Sequence, residues 1–305
     1  MKSYQLPLIG YASKLAGPDL HCDEGPVVLQ QSPYLAQLVE QGIQPLWQMI
    51  TPGLTQGRKD KMVREMCERL AAAVVKLAKQ HQYFTVIGGD HACAIGTWSG
   101  MYDVYHTQGE LGLIWVDAHM DSHTPETSES GRIHGMALAA LLGFGYDTLT
   151  TVLHDAPKLK PENVCLVGVR SFEQGEAALL ARLGVRIYFM EEVRQRGVSV
   201  VLREAVQGVS QHTIGYGISL DLDSLDPEDA PGVDVAEPAG LRAADLLVSL
   251  AELAQDPRLL ATEIVEFDPS RDKSQQTEQL IVKLLTVLSK QSKDSKDKNS
   301  QDSKE

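Results

Sequence analysis

Apolar residues follow two different periods along this chain, and the two periods alternate from one stretch to the next. Short apolar or alternating runs predict β-strands at residues 5–11, 83–87, 113–116, 164–169, 185–189, 218–223 and 261–267. Apolar residues at helical spacing predict helices at 28–41, 59–80, 136–142, 177–184, 198–206 and 277–288. Strands that alternate with helices indicate an α/β fold, a three-layer αβα sandwich whose central sheet is mainly parallel.

The extent of the fold is indicated by where this alternation stops. No linker interrupts residues 1–289, so we predict one domain over that range. Residues 290–305 contain no apolar side chain and cannot bury enough surface to offset the entropy lost on ordering. We therefore predict a disordered polar tail there.

The polar residues that follow the strand at 113–116 carry the first candidate chemistry. Asp117, His119 and Asp121 come at a spacing of two. If the chain stays extended, residues two apart point to the same face, so two carboxylates and an imidazole converge. Burying that much charge without compensation is very unfavourable, and we therefore predict one half of a metal site.

Similar polar residues end other predicted strands, and parallel sheets place their sites at that edge. Together they supply four carboxylates and two imidazoles: His91, Asp117, His119, Asp121, Asp221 and Asp223. This oxygen-rich set with some imidazole suits Mn²⁺ better than a structural zinc ion, and six ligands are too many for one catalytic ion. Two ions roughly 3.5–4 Å apart can share and activate a water molecule. We therefore predict a site for two Mn²⁺ ions.

Composition and charge restrict the classes of partner. Acidic residues outnumber basic residues by 41 to 28, for a net charge of −13, which argues against nucleic acid as a ligand. The four cysteines are scattered without a CxxC pair, and no apolar run approaches the ~20 residues of a membrane span. We expect a cytoplasmic enzyme that binds neither nucleic acid nor a membrane.

Five motifs resemble, in order and spacing, the ureohydrolase family of arginases, agmatinases and formiminoglutamases. They are GGDHACAIG at 88–96, DAHMD at 117–121, SGRIHGM at 130–136, SLDLDSLDP at 219–227 and EFDP at 266–269. The resemblance implies an arginase-like three-layer fold, two Mn²⁺ per subunit and hydrolysis of a guanidino or formimino C–N bond. It also implies a small-molecule guanidino substrate and a homo-oligomer, either a trimer or a hexamer.

The resemblance also implies a role for each residue of the site. One ion would be bound by His91 and Asp121, the other by His119 and Asp223, with Asp117 and Asp221 bridging the two. A hydroxide bridging the metals would attack the guanidinium carbon. His134 stands where the family transfers a proton to the leaving amine, and Glu266 stands where it pairs with the substrate's guanidinium.

Within the family the chain is most similar to arginases, in the loop and the acids that bind the amino-acid end of the substrate. The corresponding residues are His123, Ser128, Ser130, Arg132, Glu173 and Glu176. His123 and Arg132 replace asparagines of the arginase pattern, and residues 234–236 replace Gly-Thr-Pro. L-Arginine is the first candidate substrate. The alternatives are formiminoglutamate, guanidinobutyrate and agmatine.

Two other interpretations differ in class. A non-enzymatic relative would bind metal without turnover, and it is disfavoured because all six ligands accompany His134 and Glu266. A one-zinc deacetylase on a similar fold is disfavoured because both halves of a two-metal set are present.

Overall fold

Eight parallel strands form the central sheet of the computed structural model, which describes residues 4–17, 21–53 and 57–289. The strands are β1 (Tyr4–Tyr11), β2 (Ile43–Ile50), β3 (Phe84–Gly88), β4 (Glu110–Val116), β5 (Val164–Val169), β6 (Arg186–Phe189), β7 (Thr213–Asp221) and β8 (Leu259–Val265). Their order across the sheet is β2-β1-β3-β8-β7-β4-β5-β6, and every paired neighbour is parallel. The predicted parallel α/β fold is confirmed.

Helices cover both faces of the sheet and complete the three layers. They are α1 (Gly25–Gln30), α2 (Ala36–Glu40), α3 (Lys59–Ala78), α4 (Cys93–Tyr105), α5 (Ala137–Leu141), α6 (Asp147–Thr150), α7 (Gln174–Leu183), α8 (Met190–Arg196), α9 (Val198–Val209), α10 (Ala243–Leu253) and α11 (Gln276–Leu288). Side chains of α3 to α7 pack on one face, and those of α1, α2 and α8 to α11 pack on the other. Strands buried on both faces explain the continuous apolar runs of the sequence.

Several predicted elements differ from the structure. The helix predicted at 28–41 is two short helices, because Pro33 ends the first and starts a 3-10 turn before the second. Strand β2 and helices α6, α8 and α10 were not predicted. β2 contains Pro45 and has alternate residues exposed at the edge of the sheet. The predicted tail at 290–305 lies outside the described residues.

The order of the strands places the candidate ligands together. Strands β3, β8, β7 and β4 are consecutive neighbours in the middle of the sheet, and each is followed by one of the polar motifs. Gly89 brings the first motif close to the neighbouring loop, since a Cβ there would lie 2.1 Å from the Ser13 carbonyl oxygen. Among the described residues, no helix is both long and apolar enough to cross a membrane.

Candidate metal centre

All six predicted metal ligands meet at the carboxyl edge of the sheet. They follow three of the four central strands and comprise His91 after β3, Asp117, His119 and Asp121 after β4, and Asp221 and Asp223 at the end of β7. The sequence-based prediction that they converge agrees with this placement. The local backbone that brings them together differs from the one expected.

The ligands do not lie on extended strands. β4 ends at Val116, and Asp121 has a left-handed backbone with φ of 45°. β7 ends at Asp221, and Asp223 belongs to a 3-10 turn in which its N–H donates to Asp221 Oδ1 at 2.9 Å. The expectation that residues two apart share one strand face is therefore wrong as a cause. Turns and left-handed backbone turn these side chains toward one point.

The imidazole of His91 is the centre of the first ligand group. Its Nδ1 lies 3.0 Å from Asp121 Oδ2, 3.0 Å from Asp221 Oδ2 and 3.3 Å from Asp117 Oδ2. This nitrogen is fully buried, yet it makes no hydrogen bond of acceptable geometry with any described residue. A buried nitrogen without such a partner, facing three carboxylate oxygens, fits a bound cation.

The second ligand group shares Asp117 with the first. His119 Nδ1 lies 3.0 Å from Asp223 Oδ2 and 3.5 Å from Asp117 Oδ1. Asp117 therefore presents one carboxylate oxygen to each imidazole. Two sets of potential ligands result, His91 with Asp117 and Asp221, and Asp117 with His119 and Asp223. Asp121 contacts His91 but joins neither three-residue set.

The electrostatics of this cluster favour divalent cations. Burial raises the pKa of Asp221 well above its ordinary value and raises that of Asp223 to about 6. Burial disfavours the charged form of His91, but the close carboxylates of Asp117, Asp121 and Asp221 raise its pKa overall. Four buried carboxylates face only two imidazoles here, so without a cation the cluster must take up protons to offset its negative charge.

A buried polar network that the sequence analysis missed holds His91 from behind. His91 Nε2 lies 2.8 Å from Ser219 Oγ, which donates to Glu263 Oε1 at 2.6 Å. Trp98 Nε1 donates to the same oxygen at 2.7 Å. The network fixes the orientation of the imidazole, as carboxylates commonly do for metal-binding histidines. The sequence does contain a signal for this network, since Glu263 is an isolated acid in the apolar strand LLATEIV.

Trp115 and Asp90 support the ligands in a similar way. The Trp115 ring stacks on His91 at 4.1 Å, and its Nε1 donates to Asp117 Oδ2 at 2.8 Å. Asp90 accepts the backbone N–H groups of Ala16 and Ala92, which secures the loop that carries His91. Asp90 is therefore a loop-fixing residue in the Gly-Gly-Asp-His motif.

Glu266 and His134 lie next to each other beside the first ligand group. Glu266 Oε1 accepts the backbone N–H of His91 at 2.7 Å and lies 3.2 Å from His134 Nδ1. Burial opposes protonation of His134, but the contact with Glu266 outweighs it and raises the pKa of His134 to about 9. Glu266 has φ of 65°, so a left-handed residue directly after β8 carries this carboxylate.

A cavity of about 280 Å³ opens above the ligands and contains the predicted substrate contacts. All six line it: His123, Ser128, Ser130, Arg132, Glu173 and Glu176. His134 and Glu266 also line the cavity, together with Glu237, which the sequence analysis missed. A cavity of this size suits a small metabolite.

Much of the cavity's outer part is bonded within the protein. His123 Nε2 lies 3.3 Å from Glu173 and 3.7 Å from Glu176. The two glutamates also form a capping box at the start of α7, in which Glu176 Oε1 accepts the N–H of Glu173 at 2.8 Å. Burial raises the pKa of Glu176 to about 7. These acids therefore have a structural role in addition to the predicted contact with substrate.

The loop at 128–132 is exposed and positions its residues through short-range hydrogen bonds. Ser128 Oγ accepts the N–H of Gly131 at 3.0 Å, and Ser130 Oγ accepts the N–H of Arg132 at 3.3 Å. Within the described ranges, the Arg132 guanidinium makes no hydrogen bond or ion pair. It is a cationic side chain at the cavity whose donors remain available.

Comparisons with known proteins agree on one family. A sequence model described as the Arginase family matches residues 23–289. The arginase of Bacillus caldovelox is 42% identical over 228 residues, which cover 75% of this chain and 75% of that protein. The arginase of Brevibacillus brevis is 35% identical over 289 residues, covering 92% and 96%. The crystal structure of arginase from Bacillus subtilis matches with a TM-score of 0.85 at 34% identity and covers 93% of this chain and 98% of that one.

Proposed function

The chain belongs to the arginase family and is a hydrolase that acts on a guanidino substrate, and we propose that it hydrolyses L-arginine to L-ornithine and urea with two Mn²⁺ ions. The observation that carries this proposal is the pair of ligand groups joined by Asp117, which faces His91 with one oxygen and His119 with the other. A single-metal enzyme needs only one such group.

We assign the six ligands as the resemblance implies, and the distances at His91 and His119 support the assignment. His91 and Asp121 would hold one ion, and His119 and Asp223 would hold the other. Asp117 belongs to both ligand groups and would serve both ions, whereas Asp221 lies in the His91 group and would bridge as the resemblance implies. The oxygen-rich ligand set favours Mn²⁺, and when bound the ions supply a water of lowered pKa near neutral pH.

His134 and Glu266 act on the substrate's guanidino group. Glu266 Oε1 is already used by His91 N–H and His134, which leaves Oε2 to accept a hydrogen bond from the guanidinium. The contact with Glu266 raises the pKa of His134 and so favours its protonated form, and we assign His134 as the proton donor for the leaving amine. This differs from a histidine of ordinary pKa, which would be mostly neutral there.

The outer part of the cavity binds the amino-acid end of the substrate. The available Arg132 guanidinium, with Ser128 and Ser130 beside it, supports binding of the α-carboxylate. Glu173 and Glu176, which face His123, support binding of the α-ammonium. This combination favours an α-amino acid over agmatine, which has no carboxylate.

The test is a substrate panel on the Mn²⁺-loaded chain. L-Arginine, agmatine, guanidinobutyrate and formiminoglutamate are compared at equal concentration, and urea and formamide are both measured. We expect urea and ornithine from arginine at the highest kcat/KM. Formamide from formiminoglutamate as the main product would replace the proposed substrate, and metal binding without any product would indicate a non-enzymatic relative.

The resemblance to ureohydrolases supports two further proposals. We propose that the chain forms a homo-oligomer, a trimer or a hexamer, and that it acts in the cytoplasm. Light scattering after gel filtration tests the first, and a fluorescently tagged chain in cells tests the second.

A further inference from the structure

A second buried acidic cluster lies beside the metal centre, and the proposed reaction does not use it as a whole. Cys22, Asp234 and Glu266 each offer a ligand atom, and these atoms all lie within 4.8 Å of one another. Cys22 is fully buried, and Asp234 and Glu266 are each 4% exposed. Glu266 already contacts His91 and His134, whereas Cys22 and Asp234 take no part in the first two ligand groups.

The side chain of Asp234 shows that the cluster is incomplete. Both of its carboxylate oxygens are buried, and neither meets hydrogen-bond geometry with a described residue, although the Cys22 thiol and the Asp268 carboxyl lie close enough to shift its pKa. Leaving both oxygens of a buried carboxylate without partners costs free energy. Burial, followed by the charge of Glu266, raises the pKa of Asp234 to about 8.

The fold builds this cluster from three separate segments. Val233 and Phe267 form an antiparallel bridge, which places Asp234 next to Glu266. Cys22 starts the 3-10 turn before α1, and Gly25 at the start of α1 packs against the same strand end. A Cβ at Gly25 would lie 2.5 Å from the Phe267 carbonyl oxygen, so this close approach requires glycine.

The charges around the cluster are mostly negative. Asp90 and Asp268 are buried nearby and act on Cys22 and Asp234. The opposing groups are His134, which faces Glu266, and Arg271, whose Nε lies 3.5 Å from Asp268 Oδ2. Burial and the charges of Glu266, Asp90 and Asp234 raise the pKa of the Cys22 thiol. A positive charge inside the cluster would lower the cost of every acidic group in it.

We propose that Cys22, Asp234 and Glu266 form a third cation site that takes a thiophilic divalent ion such as Zn²⁺ or Cd²⁺. Thiolate and carboxylate oxygen are both ordinary ligands of Zn²⁺, and three protein ligands leave a position for water. The substrate's guanidinium is a poorer occupant, because Asp234 and Cys22 do not line the cavity whereas Glu266 and Val235 do.

Occupation of this site has a consequence that rests on the proposed function. Glu266 would bind both the third ion and the substrate's guanidinium. A bound ion would therefore weaken the pairing of the Glu266 carboxylate with the guanidinium. The ion binds with loss of the Cys22 proton, and of the Asp234 proton where that acid is protonated, to solvent, which makes the affinity for the ion rise with pH. We expect Zn²⁺ to raise KM for arginine by at least about tenfold, the equivalent of one charge-assisted hydrogen bond.

Thiolate-to-Cd²⁺ charge transfer in the ultraviolet tests the site without reference to activity. Cd²⁺ is titrated into the Mn²⁺-loaded full chain, and the His and Asp ligands of the metal centre cannot give this band. We expect one saturable thiolate band per chain in the wild type. Cys22→Ala should abolish it, and the matched control Cys165→Ala, which removes another buried thiol from β5, should keep it.

Asp234→Asn is the second variant, because it keeps the shape of the side chain and removes one charge. It should weaken Cd²⁺ binding by at least about tenfold. Absence of the band in the wild type, or a band of equal strength in Cys22→Ala, overturns the proposal and leaves Asp234 as a protonated acid. Urea release measured without Cd²⁺ tests the proposed function separately, so either can fail alone.

Discussion

The base and the outer part of the cavity are built on different principles. At the base, His91 and Asp117 are fully buried, and backbone N–H groups, Ser219 and Trp115 fix their orientation. In the outer part, the loop at 128–132 is exposed and holds itself by hydrogen bonds between near neighbours. The base is buried and held by several elements, whereas the loop of the outer part is exposed and held only by itself.

This difference indicates that the base of the cavity determines the reaction and that the outer part determines which substrate is bound. Buried ligands held by several elements tolerate little change, because each lost partner leaves an uncompensated charge. Exposed loop residues can change without disturbing the sheet, so substrate choice can vary while the metal centre stays the same. Of the two changes relative to the arginase pattern, Arg132 lies in the exposed loop, whereas His123 is buried against the acids at the start of α7. We therefore expect the largest mutational effects at the base.

Removing the shared ligand is the strongest challenge to this comparison. In Asp117→Asn, both ligand groups lose charge at once, so we expect the bound Mn²⁺ to be lost and kcat to fall about 10³-fold or more. Elemental analysis of the purified variant and a urea assay measure both effects. Asp103→Asn, an acid on α4 paired with His154, is the control. Two retained ions with normal turnover would show that Asp117 is not a ligand.

His134 tests whether the base contains a proton donor as well as ligands. His134→Asn should lower kcat by about 10²–10³-fold, the usual contribution of general acid catalysis, and leave Mn²⁺ content unchanged. The two readouts distinguish the roles, because a ligand would lose metal. If metal is lost together with activity, His134 belongs to the metal centre and another group donates the proton.

The sequence predicted which residues form the base of the cavity better than it predicted how the backbone brings them together. Polar residues at strand ends predicted six side chains that the structure brings together, because parallel strands bring their carboxyl ends to one edge. The expected cause of their convergence, an extended chain with a spacing of two, was wrong. Asp121 and Glu266 have left-handed backbones that no spacing rule indicates. The contacts of Ser219 with His91 and Glu263 join separate strands or loops, so no single segment of sequence contains them.

The outer part was predicted only through family resemblance. The six contacts do line the cavity, but nothing in their spacing predicts that Glu173 and Glu176 also cap α7. Glu237 was missed because it lies in an irregular loop after the DxD motif, where no period applies. The structure adds it as an acid whose Oε1 lies 3.7 Å from His119 Nε2.

In the metal-free protein, the pH dependence of folding stability tests the contact between His134 and Glu266 at the base of the cavity. The pKa of His134 rises from 6.5 to about 9 on folding, so its stabilisation is fully present below pH 6.5 and is lost as pH rises to about 9. Denaturant unfolding of wild type and His134→Asn at about pH 6 and about pH 9 isolates this contribution, which we expect to be up to about 3 kcal/mol. His106→Asn, at the exposed end of α4, is the control. An equal pH dependence in wild type and His134→Asn would contradict the shift.

The smallest effect is expected in the outer part, and it is the sharpest test of substrate choice. Arg132→Ala should raise KM for arginine about three- to tenfold with little change in kcat, because the guanidinium would bind the α-carboxylate away from the reacting bond. Agmatine lacks that carboxylate, so its KM should not change in the same variant. Arg132→Lys keeps the charge but loses the bidentate geometry and should lie between the two. A fall in kcat for both substrates would place Arg132 at the reaction instead, and the separation between base and outer part would fail.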